Sequence, residues 1–313
     1  MLIESIAFIL ATTLMYSAPL IFTALGGLVS ENAGVVNIGL EGMMTLGAFV
    51  GAAVGYFAND AWVGFLAAGL SGGFLALFHA VACVTFMADH IVSGIAMNFI
   101  GPGLALFLSR YFFDGATQTL SLSLDAKIPR PFNGVFEQNG FFDMVFNQYA
   151  TVYIALLMVL LVWFVLYRTR IGLRIRAVGE HPKAADTLGI DVFGIKYMAV
   201  VVSGVLAGFG GAALSVAIVS RFSATLVSGQ GFIALAAMIF GKWRPGGTLS
   251  ACLLFSSAQG LTVFMGRADM QRLFPIPSQL LAMIPFLLTL AVLIGFVGKS
   301  TPPAADGLPY EKE

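Results

Sequence analysis

Charge is what this chain has least of. Asp, Glu, Lys and Arg make up 10% of its 313 residues, where a soluble domain carries about 25%. Sixteen cations balance sixteen anions, so no net field draws the chain to nucleic acid, and none is expected as a partner. Cysteine is nearly absent. Cys83 and Cys252 both lie in apolar runs without metal-ligand spacing and read as packing residues. The three histidines, His79, His90 and His181, sit in different segments and share no ligand spacing, so no metal site is expected. No nucleophile–base pair or cofactor motif stands out, and the expectation is a chain that is not an enzyme and binds no cofactor itself. Gly298, Lys299 and Ser300 end like a phosphate loop, but Leu293, six positions before Lys299, stands where that loop needs glycine.

Apolar residues fill the space those absences leave: hydrophobic residues are 58% of the chain and mean hydropathy is +0.92. A globular core of this size could not hide so much apolar surface, so the chain is an integral membrane protein. Spans of about 20 residues fall at 6–28, 38–57, 62–87, 91–110, 149–167, 192–219, 248–265 and 277–297, with a half-length apolar segment at 232–240. The fold expected is all-α, a polytopic bundle of eight full spans plus one broken or re-entrant segment, forming a single transmembrane domain over residues 1–300. The first span lacks a basic leader region and a small-residue cleavage site and reads as a retained span. Glycine rows at Gly47, Gly51 and Gly55, at Gly69 and Gly73, and at Gly204 and Gly208 have the spacing that lets helices approach closely in lipid.

The interval 168–196 is the polar hub. It holds six of the sixteen Lys and Arg residues, namely Arg168, Arg170, Arg174, Arg176, Lys183 and Lys196. Such loops stay in the cytoplasm. That orientation puts the amino end and the long loop 111–148 outside, and the tail 301–313 inside. Pro182 suits a first helical position and Gly189 a left-handed stop, which predicts a helix of about two turns. Asp191 should cap the helix that follows. The short helix offers a small-residue face at Ala184, Ala185 and Leu188 for a partner's groove.

A second polar stretch, SENAGVVNIGLEGMM at 30–44, carries Glu31, Asn32, Asn37 and Glu41 at membrane depth. Asn37 and Glu41 are four apart and would share a helix face. With Asn98, Gln230 and Gln259 they form a set of hydrogen-bonding groups suited to a polar, neutral solute. Asn37, Glu41 and Asn98 are expected to face one cavity.

Four segments carry a family resemblance: GGLVSENAGVVNIGLEGMMTLGAF (26–49), IVSGIAMN (91–98), TRIGLRIRAVGEHPKAADTLGI (169–190) and GFIALAAMIFGKWRPGG (231–247). The chain resembles the permease subunits of bacterial ABC importers in the ribose and branched-chain amino acid superfamily, most of all the nucleoside branch. It departs from that branch at Asn32, where a basic residue is common, and at Asp89 and His90, where an Asn–Gln pair is common. The resemblance implies a multi-pass permease of the bacterial cytoplasmic membrane, working by alternating access. Its partners would be an ABC ATPase subunit that hydrolyses ATP, a second permease chain in a heterodimer, an extracytoplasmic solute-binding lipoprotein, membrane lipid and a small-molecule substrate. The solute pathway would use Asn37, Glu41, Asn98 and Gln230. Coupling to the ATPase would use Arg174, Glu180, Pro182, Ala185, Leu188 and Gly189. Two alternatives stand beside the nucleoside: a simple sugar or branched-chain amino acid permease, and an ion-coupled secondary transporter relying on Glu41.

Overall fold

The computed structural model describes residues 2–123, 127–138, 140–296 and 301–311. All the elements named in them are helical. Seven are long and apolar enough to cross a membrane: α1 (Leu2–Asn32), α2 (Leu40–Ala58), α3 (Ala61–Ala80, continuing as a wider π turn), α4 (His90–Phe112), α6 (Ala150–Arg168), α9 (Val192–Ala212, likewise continued) and α11 (Pro245–Met265), while the six-residue α5 (Phe141–Phe146) lies in the loop before α6. Short acidic caps start several of them. Asp60 accepts from the amide of Trp62 at 2.7 Å, Asp89 from that of Val92 at 2.9 Å, and Asp191 from that of Gly194 at 3.0 Å, as expected for Asp191.

The eighth expected span is split. It runs as two short helices, Ser278–Ala282 and Ile284–Phe296, either side of Met283. Pro285 explains the break, because it has no N–H for the carbonyl of Leu281 four residues earlier. The hydroxyl of Thr262 donates to that carbonyl at 3.2 Å instead, so the backbone group does not stay unsatisfied in an apolar setting. Val297 and Lys299, the expected end of this span and its flanking cation, lie outside the described residues.

The centre of the bundle is α9, packed on α1, α2 and α3. Glycine makes this packing possible. A Cβ on Gly47 would fall 2.5 Å from the Cα of Gly208, and one on Gly208 would strike the carbonyl of Ala68. On the other flank of α2, a Cβ on Gly42 would strike the carbonyl of Met97 and one on Gly101 the carbonyl of Gly42, which brings α4 equally close. Backbones in such contact gain dispersion energy along their length, the main attraction available where lipid removes the hydrophobic drive.

The loop 168–196 contains two helices rather than one: α7 (Arg170–Glu180) and α8 (Pro182–Thr187). The added helix, α7, starts at Thr169, whose hydroxyl accepts from the amide of Gly172 at 3.2 Å, and it buries Ile175 and Val178 on one side. α8 matches the expected short helix, with Pro182 at its start and Gly189 left-handed at φ 77° beyond its end. The half-length apolar segment is α10 (Gln230–Phe240), reached through a non-helical stretch and followed by a tight turn.

The two ends of the bundle keep separate company. At one end, Thr119 and Leu122 of the long loop pair through their amides with Phe222 and Ser220. At the other, the tail lies along α7, α8 and the start of α9. The amide of Ala305 donates to Gly179 at 2.8 Å, the hydroxyl of Tyr310 to Asp186 at 2.9 Å, and the Lys196 ammonium to Leu308 at 3.4 Å.

Candidate functional site

Two of the four residues expected along the pathway, Asn37 and Asn98, meet around one irregular stretch, 33–39, which joins α1 to α2. Asn98 on α4 grips it from one side: its Oδ1 accepts from the amide of Gly42 at 2.8 Å and its Nδ2 donates to Ile38 at 2.9 Å. Asn37 is fully buried, and its Nδ2 donates to the hydroxyl of Ser203 on α9 at 2.9 Å, while its Oδ1 has no partner. His79 completes the clasp, one ring nitrogen 3.0 Å from the carbonyl of Val36 and the other 2.8 Å from the hydroxyl of Ser93. These side chains stand in for hydrogen bonds that a non-helical backbone lacks at membrane depth. Asn37 and Asn98 therefore engage backbone and a neighbouring helix, and not an open cavity shared with Glu41.

Glu41 reaches elsewhere. Its Oε1 accepts from the amide of Gly229 at 2.6 Å and its Oε2 from that of Gly231 at 2.7 Å. The carboxylate thus caps α10, where the first amides of a helix have no partners of their own and the helix dipole favours an anion. Gly231 is needed here because a Cβ would collide with the Glu41 backbone at 2.6–2.7 Å.

Gln230 follows directly and does line a cavity. With Tyr16, Leu20, Ile233, Phe255, Gln259 and Pro285 it bounds a cleft of about 20 Å³ between α1, α10, α11 and the last helix pair. That is room for about one water. Two amides and two rings face it, which are donors, acceptors and π-faces without charge. In this conformation the cleft is shut to any solute larger than water.

At the basic end the coupling candidates divide by exposure. Leu188 is 81% exposed, and Lys183, Ala184 and Thr187 are exposed beside it. Ala185 faces the other way: it is 2% exposed and packs with Val178, Val192 and Tyr310. The outward face of α8 is therefore 183, 184, 187 and 188, and Ala185 belongs to the joint with the tail. Glu180 is likewise turned to the tail, where it accepts from the amide of Ala304 at 3.3 Å. Arg174 is exposed on α7 and Pro182 and Gly189 bound α8. In the tail, Asp306 sits beside Glu31 and Lys196, and burial raises its carboxyl above the ordinary carboxylate range. Glu31 also accepts from the indole of Trp243 at 2.5 Å. Reading the sequence missed His79, Trp243 and Asp306 as structural partners. Burial of a lone histidine and the pairing of Glu31 across more than 200 positions leave no local pattern to detect.

A helical membrane bundle with an interrupted half-length helix and an organised basic face is the build of a transport subunit. Residues 9–297 match the permease component of the branched-chain amino acid transport system, and the chain belongs to that permease family. Among similar proteins, the guanosine ABC transporter permease protein NupQ of Bacillus subtilis is 41% identical, the match covering 99% of this chain and 98% of the relative. The nucleoside ABC transporter permease protein NupC of Lactococcus lactis is also 41% identical, over 99% and 98%. The putative glucose ABC transporter permease protein TsgC13 of Haloferax volcanii is 37% identical, over 81% and 76%. The chain is thus a multi-pass permease subunit of the cytoplasmic membrane, a transport component and not an enzyme.

Proposed function

We propose that this chain is the nucleoside-conducting permease subunit of an ABC importer. The observation that carries the reading is 41% identity, over nearly the whole of both chains, to two permeases named for guanosine and nucleoside transport. The cleft between Gln230 and Gln259 supports it, since amides beside the rings of Tyr16 and Phe255 suit a neutral solute with a flat base and hydroxyls. Transport proceeds by alternating access. A partner ATPase supplies the energy through the exposed face of α8, and a solute-binding lipoprotein delivers substrate at the opposite end. A second permease chain, different from this one, completes the path. The basic end, with α7, α8 and the tail, faces the cytoplasm.

The engagement of both Glu41 oxygens by backbone amides favours energy supplied in trans, because a coupling carboxylate has to exchange its proton or ion during the cycle. The test is uptake of radiolabelled guanosine into vesicles holding this chain with its ATPase, second permease and binding protein, with and without internal ATP. ATP-dependent uptake competed by nucleosides but not by ribose or glucose is expected. Competition by glucose alone would move the substrate to the sugar named for the Haloferax relative, and uptake without ATP would remove the ABC mechanism.

A further inference from the structure

A large cavity lies away from the pathway and from the exposed face of α8. It holds about 590 Å³ between the basic-end termini of α6, α7 and α11. Its walls combine two kinds of side chain. Arg176, Lys242 and Arg244 supply three cations against one carboxylate, Glu180, which already accepts from the tail. Trp163, Tyr167 and Trp243 supply aromatic faces. Arg176 is fixed in place, its Nε donating to Leu166 at 3.1 Å and its guanidinium 4.9 Å from the centre of the Tyr167 ring. Among the described residues, Lys242 and Arg244 have no ion-pair partner.

The turn that presents those two cations is strained. Lys242 and Trp243 are consecutive non-glycine residues in the left-handed region, at φ 55° and 53°. Such backbone is costly for residues that carry a Cβ and survives only where its surroundings hold it. Here the indole of Trp243 is held by Glu31 and its carbonyl by Asn32 at 3.4 Å, which pins the turn with Lys242 and Arg244 exposed on either side.

The cavity is continuous with a lipid-facing surface. Trp163 lines it and is itself 43% exposed on the outer face of α6, in line with Leu157, Leu160, Leu161 and Phe164, all exposed. Arg168 lies over the Trp163 ring at 5.6 Å, at the depth where aromatic and basic side chains meet headgroups. Cations at the cavity with an apolar stripe running from its rim match a molecule with a phosphate at one end and acyl chains at the other.

We propose that this cavity binds the headgroup phosphate of an anionic glycerophospholipid, with Arg176, Lys242 and Arg244 as its ligands and the outer face of α6 as the bed for its acyl chains. The purified full-length chain is loaded in detergent with equal amounts of phosphatidylglycerol and phosphatidylcholine, and retained lipid is counted by native mass spectrometry. Phosphatidylglycerol should be retained preferentially. With roughly 1 kcal/mol of attraction per basic residue near an anionic headgroup, Lys242→Gln with Arg244→Gln should cut that preference about tenfold or more. The charge-keeping pair Lys242→Arg with Arg244→Lys should hold it. If the double glutamine variant does not purify as a monodisperse species, Lys242→Gln alone carries the same test with a smaller loss. Equal retention of both lipids, or undiminished preference in the glutamine variant, overturns the site. Displacement of phosphatidylglycerol by millimolar inorganic phosphate would show a site for the free anion and overturn the lipid assignment.

Discussion

Glu41 places two carboxylate oxygens on two backbone amides, and the identity of those amides decides what the residue does. Both belong to the start of α10, an 11-residue helix that needs a partner at its end because a break in the membrane leaves amides without water. A hydrogen bond to a charged acceptor contributes about 1.5–3 kcal/mol, so Glu41→Ala should destabilise the chain by about 2 kcal/mol or more. Glu41→Gln keeps one acceptor oxygen and should lose less. Thermal unfolding of the purified variants ranks them, and uptake should fall in the same order with unchanged sensitivity to an uncoupler. A glutamine variant as stable as the parent, whose uptake has newly lost its dependence on the proton gradient, would make Glu41 a titrating transport group instead. The sequence marked Glu41 as unusual through its charge at membrane depth. It could not say that the partner lay nearly 190 positions away, since a cap made across helices has no spacing signature. Asn37 and Asn98 were legible to the same degree: as costly polar groups, but not as clasps on the 33–39 backbone.

At the scale of elements, periodicity and punctuation carried most of the reading. Pro182 and Gly189 bracketed α8, Asp191 capped α9, and the short apolar run after Gln230 became α10. What failed was facing. A helix of six residues has too few positions for a moment to tell its two sides apart, so Ala185 was grouped with Ala184 and Leu188. The tail settles the question by covering one side with Tyr310. An arginine at 185 would have to displace Val178, Val192 and Tyr310, and a bulky insertion into a packed site costs about 1–3 kcal/mol. Ala185→Arg should therefore lower the melting temperature of the isolated chain and expose the tail to proteolysis. Leu188→Glu should leave melting unchanged, because its side chain is 81% exposed, and abolish most ATP-stimulated uptake once the partners are present. Equal uptake by the Leu188 variant and the parent would take the coupling role away from this face of α8. Helix α7 went unread for a related reason: its charges gave the orientation of the loop and masked the buried Ile175 and Val178 beneath.

At the scale of the whole molecule, the close contacts and the gaps are unevenly distributed. Glycine-mediated contact locks α2, α3, α4 and α9 into one body, so a change that separated Gly47 from Gly208 would cost dispersion along several turns. By contrast, α10 is short, the last helix pair is split at Met283, and the cleft bounded by Gln230, Gln259 and Pro285 lies where these interrupted elements meet α1 and α11. Rigid elements move as bodies and interrupted ones take up the change, which assigns opening to the α10 and α11 side of the bundle. The cleft, now closed to all but water, should open when the partner ATPase changes state. Cys83 and Cys252 are both buried, so the native thiols form a quiet background for labelling. In the reconstituted importer, Gln259→Cys should react with a membrane-impermeant thiol reagent several-fold faster in one of two states, nucleotide-free or vanadate-trapped, while a cysteine at Ser203, at the locked interface with Asn37, should stay protected in both. Equal reaction of Gln259→Cys in the two states, or labelling at Ser203 that follows the nucleotide, would place the moving boundary along α9 and make the glycine-packed body the part that opens.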